Sequence, residues 1–211
     1  MTNYHLPLQA DTIYHLFNRA VGNEKLFRSS ENYLYFLKKF KLHILPVADL
    51  YVYSLMPNHF HLMVRIKSAP ELITHFETKK KKTYNPYQHD LPDFVMEQFS
   101  NWLNGYSKAY NKMYKRMGSL FMDYMKRSEA IDDSSITSFI FYIHKNAVHH
   151  GLKKNIAEWP FDSYPIILSD KPTDLKRVEV IEWFGSVKYF IDFHSQPVEL
   201  KFFDIDKYLN L

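Results

Sequence analysis

Hydrophobic and polar positions in the N-terminal third of the chain follow two different periods. In some segments apolar and polar residues alternate, which is typical of strands with one buried face. These segments lie on both sides of a segment whose apolar residues have helical spacing. The helix is predicted to start at Ser30, a suitable N-cap, and to end near Leu42. The predicted strands cover residues 12–18, 49–55 and 59–66. Because Met56-Pro57-Asn58 favours a tight turn, the last two strands are expected to form a hairpin.

The rest of the chain predicts further helices, one more strand and irregular segments. In order, we expect a short helix near 71–76, a mobile lysine-rich loop over 79–93, a helix over 94–114 that Gly118 stops, a strand over 120–127, a helix capped by Asp132 or Asp133 that ends at Gly151, and a short helix near 178–184. This order of elements predicts an α+β fold. The simplest arrangement is an antiparallel sheet with helices packed on one face.

Composition narrows the function classes. The chain has no cysteine, which excludes disulfides, thiolate zinc sites and a cysteine nucleophile. Glycine-rich phosphate-binding motifs are absent, so a nucleotide cofactor is not expected. No apolar run is long enough to cross a membrane and residues 1–10 lack a signal-peptide pattern, so we expect a cytoplasmic protein without a membrane partner. The net charge of +4 indicates nucleic acid only weakly.

Two histidines in the strand 59–66 are candidate metal ligands. Side chains alternate between the faces of a strand, so His59 and His61 share one face while Phe60 and Leu62 point toward the core. Two imidazoles in this arrangement can bind one divalent ion and leave positions open for catalysis. The alternative is that both are ordinary packed or solvent-facing histidines.

The helix predicted after Asp133 carries a second pair of candidates. Tyr142 and Asn146 are four residues apart and therefore lie on one helix face. A carboxamide oxygen is a fair ligand for Mg²⁺ or Mn²⁺, and a phenol near such an ion can attack a polarised phosphate. The alternative for Tyr142 is a packing role in the core or at the surface.

Basic residues interleaved with tyrosines form a third pattern between Tyr106 and Arg127. This combination suits a single-stranded nucleic acid with splayed bases, although an ordinary solvated helix face has the same composition. The basic residues are Lys108, Lys112, Lys115, Arg116, Lys126 and Arg127. The tyrosines are Tyr106, Tyr110, Tyr114 and Tyr124.

Together these segments resemble the single-tyrosine HUH transposases, which include the REP-associated tyrosine transposases of bacteria. The name HUH denotes two histidines around a hydrophobic residue. The resemblance covers roughly residues 12–152. The matching segments are Tyr14-His15-Leu16-Phe17-Asn18-Arg19, Met56-Pro57-Asn58-His59-Phe60-His61-Leu62-Met63-Val64, Tyr110-Asn111, Gly118-Ser119-Leu120-Phe121, Lys126 and Tyr142-Ile143-His144-Lys145-Asn146.

The resemblance implies a ferredoxin-like α+β fold and a defined chemistry. It implies that His59 and His61 hold Mg²⁺ or Mn²⁺, with Asn146 as third ligand, and that Tyr142 is the nucleophile. The implied partner is single-stranded or hairpin DNA, which is cleaved to a 5′-phosphotyrosine and a free 3′-OH and then rejoined. Arg19, in the segment that resembles the family's first strand, joins the basic residues expected to contact DNA.

The resemblance also sets the expected domain organisation. Residues 1–151 would form the catalytic domain, with a loop insertion at about 77–93, and residues 152–211 an accessory extension packed on it. Ala147 stands where the family usually has proline. Members of the family act as monomers or homodimers, and a bacterial transposase would be associated with the nucleoid.

Two other functions are compatible with the sequence. H-x-H also opens the metal site of some barrel hydrolases, although such a barrel needs a longer chain and regular strand–helix alternation. A non-catalytic nucleic-acid-binding module on a ferredoxin-like sheet, or a domesticated transposase, would keep the basic aromatic pattern.

Overall fold

Four strands form one antiparallel sheet in the order β2-β3-β1-β4. The computed structural model describes residues 6–122 and 124–197. Its elements are β1 (Ile13–Arg19), α1 (Ser30–His43), β2 (Ala48–Leu55), β3 (His59–Ile66), α2 (Ala69–Lys80), α3 (Leu91–Met113), β4 (Lys126–Glu129), α4 (Asp133–His149), a 3₁₀ turn (Ile156–Glu158), α5 (Tyr164–Ile167), α6 (Arg177–Trp183) and α7 (Val187–His194). The predicted α+β class with an antiparallel sheet is confirmed.

The register of β1 and β3 decides which side chains share a face. Phe17 pairs with His61 and Arg19 pairs with His59. Directly opposed residues in an antiparallel pair lie on the same face, so this face carries the histidines and we call it the histidine face. The pairs Leu16–Leu62 and Asn18–Phe60 lie on the other face.

The main core lies between that second face and helices α1 and α3. The ring of Phe60 packs against Phe36 of α1, with centroids 5.3 Å apart, and against Trp102 of α3 at 5.5 Å. Trp102 is fully buried and its indole N–H donates to the carbonyl of Phe36 at 3.2 Å. The aromatic cluster therefore fixes both helices against the sheet and gives β3 a rigid support.

Helix α4 packs on the histidine face, where it contacts β2 and β3, so helices cover both faces of the sheet and not one face as predicted. Asp132 caps its first turn by accepting a hydrogen bond from the backbone N–H of Ser135 at 2.7 Å. The helix ends at His149, and Gly151 takes up the left-handed conformation (φ 66°) of the expected glycine cap. Helices α6 and α7 pack against α4 from the C-terminal segment, and α6 also contacts β2.

Several boundaries differ from the predicted ones. The short helix expected near 71–76 begins earlier, at Ala69, because Ser68 and Glu71 form a capping box, and it continues to Lys80. The expected loop is correspondingly shorter, since α3 already begins at Leu91. Phe121 makes an isolated bridge to Ala20 and the fourth strand begins later, at Lys126. Residues 198–211 of the predicted extension lie outside the described residues.

None of the described helices combines the length and the apolar character needed to span a bilayer.

Candidate active site

The β2–β3 hairpin places two buried imidazoles side by side. His59 and His61 are 1% and 0% exposed, and their ring centroids lie 5.2 Å apart. The turn residue Asn58 fixes the first of them, since its side-chain oxygen lies 2.8 Å from His59 Nδ1. This contact leaves His59 Nε2 directed toward α4.

Helix α4 brings the predicted tyrosine and asparagine to the same place. Asn146 Oδ1 lies 3.0 Å from His59 Nε2. The ring of Tyr142 packs edge-on against His61, with centroids 5.4 Å apart. The structure therefore gathers His59, His61, Tyr142 and Asn146 into one buried cluster, although 87 residues separate His59 from Asn146 along the chain.

The contact between His59 and Asn146 is compatible with a shared cation. A neutral imidazole has one N–H; if His59 Nδ1 donates it to Asn58, Nε2 offers a lone pair to the amide of Asn146. With the proton on Nε2 instead, His59 donates an ordinary hydrogen bond to Asn146 Oδ1, and with the proton on Nδ1 the lone pair of Nε2 is available to a cation that Asn146 Oδ1 also contacts. Their separation of 3.0 Å would allow both atoms to bind one hard divalent cation.

His61 supplies a second, independent observation that fits a cation. Its Nε2 is buried and makes no hydrogen bond to any described residue. A buried polar atom without a partner is costly, and an ion at this point would satisfy it. Within residues 6–122 and 124–197, no three His, Cys, Asp or Glu side chains lie close enough together to hold a metal. The amide oxygen of Asn146 is therefore the third donor that this cluster offers.

Burial keeps His61 in the form that a metal ligand requires. Loss of solvent, reinforced by the neighbouring His15, His59 and His150, lowers the pKa of His61 well below its ordinary value. Burial also lowers the pKa of His15 to about 3. Both rings are therefore neutral near pH 7, and the lone pair of each is available.

A second buried polar network joins α4 to α7 and to β2. His144 Nδ1 lies 3.0 Å from His194 Nε2 of α7, and His144 Nε2 lies 2.8 Å from the hydroxyl of Ser163. That hydroxyl also contacts the backbone N–H and carbonyl of Tyr53 in β2. His144 therefore ties the tyrosine-bearing helix to both the sheet and the C-terminal segment, which is a structural role.

Two of the predicted DNA-binding residues lie on the histidine face. The register places Arg19 directly opposite His59, and Lys126 pairs with Phe17, which in turn pairs with His61. Partial burial and the positive charge of Arg19 lower the pKa of Lys126. Two cations this close to the cluster favour an anionic group, such as a phosphate, beside it.

The other predicted DNA-binding residues are spread over the opposite side of the molecule. Lys108, Lys112 and Lys115 are exposed on α3 and the turn that follows it. Arg116 is tied to Glu24 by an ion pair of 2.9 Å. Arg127 is 6% exposed and its guanidinium contacts the sulfur of Met96.

The tyrosines between these basic residues also differ in their exposure to solvent. Tyr106 and Tyr110 are buried, and their hydroxyls donate to backbone carbonyls of residues 25 and 26. Tyr114 is half-buried and donates to Asn32. Tyr124 is 68% exposed, so it is the member of this set with the surface needed to stack on a base.

Two residues near the cluster were not among the sequence-predicted site residues. His15 of β1 lies 2.9 Å from His61, measured from Nε2 to Nδ1. Strand alternation placed His15 on the face of Phe17, but the pairing of β1 with β3 was needed to bring it to His61. His150 packs against His59 with centroids 4.9 Å apart. Its spacing of four residues from Asn146 was the available signal.

Comparison with known proteins supports the fold. No protein-family model and no curated protein matches the chain. The chain is similar to a solved structure described as a REP-associated tyrosine transposase bound to a REP hairpin, with a TM-score of 0.57 and 12% sequence identity over 82% of this chain and 90% of that one. At this identity the likeness establishes a shared fold.

Proposed function

We propose that this protein is a metal-dependent, single-tyrosine DNA endonuclease and strand transferase that acts on single-stranded DNA beside a hairpin. The observation that carries the proposal is the convergence of Tyr142 on the buried cluster of His59, His61 and Asn146. The fold likeness to a hairpin-bound tyrosine transposase favours DNA as the partner. The four-stranded antiparallel sheet removes the barrel hydrolase as a rival, because that site requires a parallel barrel.

The residues of the cluster fit a hard divalent cation. His59 Nε2, His61 Nε2 and Asn146 Oδ1 would hold Mg²⁺ or Mn²⁺, which when bound would polarise the scissile phosphate and stabilise charge on its oxygens. Two imidazole nitrogens and an amide oxygen that bind an ion add no negative charge. The charge of the ion is therefore balanced by the DNA phosphate, so the ion and the DNA are expected to bind more tightly together than separately.

The cations of the histidine face would position the scissile phosphate. Arg19 and Lys126 lie on the histidine face, as the cluster does, and would offer N–H donors to the non-bridging oxygens. Exposed Tyr124 lies two residues before β4 and offers a ring to an unpaired base.

Cleavage would proceed by attack of the Tyr142 hydroxyl oxygen on phosphorus. As the new P–O bond forms, the phenol loses its proton and the bond from phosphorus to the 3′ oxygen breaks. That oxygen takes up a proton and leaves as a 3′-OH, while the downstream strand stays joined to Tyr142 by its 5′ phosphate. Attack by another 3′-OH reverses the step and joins strands without ATP.

The burial of Tyr142 adds a requirement for movement. The residue is 3% exposed, which is too little for direct contact with a phosphodiester. We infer that DNA binding turns the ring outward or shifts α4 slightly away from the sheet, and that the substrate thereby completes the site.

The proposal is tested by trapping the covalent adduct with end-labelled DNA. The probe is a pool of hairpin oligonucleotides with randomised single-stranded flanks, labelled at the 3′ end in one sample and at the 5′ end in another. With Mn²⁺, the 3′ label should move to the protein band on a denaturing gel, and the 5′ label should appear as a shorter strand with a 3′-OH that a polymerase extends.

Three variants test the roles of the individual residues. Tyr142→Phe should form no adduct while keeping its affinity for the pool, and His61→Ala should lose Mn²⁺-dependent cutting. Tyr124→Phe is the matched control, which retains the hydroxyl of Tyr142 and should form the adduct. An adduct that persists in Tyr142→Phe refutes the nucleophile, and binding without any cutting in the unaltered protein favours a non-catalytic or domesticated protein.

A further inference from the structure

His15 is a buried histidine that the proposed reaction leaves without a role. It is fully buried on β1, on the histidine face, and one of its nitrogens, Nε2, lies 2.9 Å from His61 Nδ1. The other, Nδ1, makes no hydrogen bond within the described part of the chain. A polar ring in such a position needs a reason, because burying it costs free energy that an apolar residue would save.

The contact between the two rings has consequences for the position of their protons. Each neutral imidazole has one N–H and one lone pair. For His61 to present a lone pair at Nε2, its proton must be on Nδ1, and the recorded partner of Nδ1 is His15 Nε2. His15 must then accept at Nε2 and carry its own proton on Nδ1.

The surrounding rings also restrict the orientation of His61. The planes of His15 and His61 are inclined by 25°, and Phe17 stacks on His61 at 22°. Tyr142 packs edge-on against both histidines, with centroids 5.8 Å from His15 and 5.4 Å from His61. Turning His61 over would break the hydrogen bond to His15 and move Nε2 away from the cluster.

We propose that His15 is a positioning residue, which holds His61 in the tautomer and orientation that direct the Nε2 lone pair toward the metal ion. Metal-bound histidines usually donate their second N–H to a carboxylate, a carbonyl or water, and loss of that contact typically weakens metal binding by about 10- to 100-fold. Here a neutral imidazole takes that place, so the cluster gains no negative charge from it. The inference rests on the proposed metal site but is measured separately from it.

The test reads the tautomer of His61 in the metal-free protein. Nitrogen-15 NMR of the imidazoles at pH 7.5 should show His61 protonated at Nδ1 and unprotonated at Nε2. In His15→Phe, which fills the same space without an acceptor, the Nε2-protonated form should appear. His15→Gln offers a carbonyl acceptor and should restore the Nδ1-protonated form. Phe17→Leu loses the stacking ring but keeps the hydrogen bond, so it should retain the original tautomer.

Mn²⁺ affinity, followed by electron paramagnetic resonance with the metal alone, gives the second readout. His15→Phe should bind Mn²⁺ at least 10-fold more weakly than the unaltered protein, and His15→Gln should stay within about threefold of it. The inference is overturned if His61 carries its proton on Nε2 in the unaltered protein, or if His15→Phe leaves both tautomer and affinity unchanged. If the predicted tautomer is found but His61→Ala binds Mn²⁺ as well as the unaltered protein, the proposed metal site fails while the hydrogen bond stands.

Discussion

Replacement of His194 by glutamine should make the protein less sensitive to acid. His194 is 2% exposed, donates or accepts through both ring nitrogens, and is held in the neutral form because burial lowers its pKa to about 4. In the unfolded chain its pKa returns to about 6.5. The unfolded state therefore binds more protons at acid pH, and the stabilisation that is fully present above pH 6.5 is lost as the pH falls to about 4.

The size of the effect follows from that difference. Each tenfold change in proton affinity is worth about 1.4 kcal/mol, so full protonation would cost roughly 3 kcal/mol and protonation at pH 5 about 2 kcal/mol. For a domain of this size, 1 kcal/mol shifts the melting temperature by about 2–4 °C. Moving from pH 8 to pH 5 should therefore lower the melting temperature of the unaltered protein by about 4–8 °C more than that of His194→Gln.

The assay is thermal unfolding, followed by circular dichroism at both pH values with a chelator present. Glutamine does not titrate and has a carboxamide that can contact His144, so the variant separates protonation from loss of the contact. The other buried histidines are common to both proteins and largely cancel in the comparison. Equal acid sensitivity in the two proteins would refute the argument that His194 must stay neutral for α7 to hold α4.

Two further predictions concern the support of α4 and the binding of DNA. Asp132→Ala removes the cap of α4 and should lower the free energy of unfolding measured in urea titrations, whereas an unchanged value would show that the Ser135 contact adds nothing. Arg19→Ala and Lys126→Ala should each weaken DNA binding and reduce the slope of its salt dependence by about one. Arg127→Met is the matched control, because that buried guanidinium faces Met96; a reduced slope there would contradict the placement.

The hairpin that carries His59 and His61 could be predicted from the sequence because neighbouring residues determine it. Alternation fixed the face of each side chain, and Pro57-Asn58 fixed the turn, so the bounds of β3 agree with the prediction. Gly151 likewise marked the end of α4. Period, turn and cap are properties of neighbouring residues, and they do not depend on the rest of the fold.

Contacts between distant segments explain what the sequence did not show. The bond from His15 to His61 spans 46 residues and exists because β1 pairs with β3. The pair of His144 and His194 spans 50 residues and depends on the docking of α7. Neither spacing has a periodic signature, so strand order and helix packing had to be known first.

The basic residues show a second limit of the sequence pattern. Lys115 and Arg127 look equivalent in a composition count, but one is exposed and the other is buried beneath α3. Because β4 is short, its alternation extends over too few residues to reveal which side Arg127 faces. The count of basic residues therefore predicted a larger DNA-binding surface than the structure supports near the cluster. Two of those residues, Arg19 and Lys126, lie on the histidine face.

The proposed reaction joins Tyr142 covalently to a DNA 5′ phosphate. The most direct measurement is peptide mass spectrometry of the Mn²⁺-dependent adduct after nuclease and protease digestion. We predict a nucleotide mass on the α4 peptide, with fragment ions that assign the phosphate to Tyr142. A modification on another residue, or a cut DNA without any modified peptide, would contradict it.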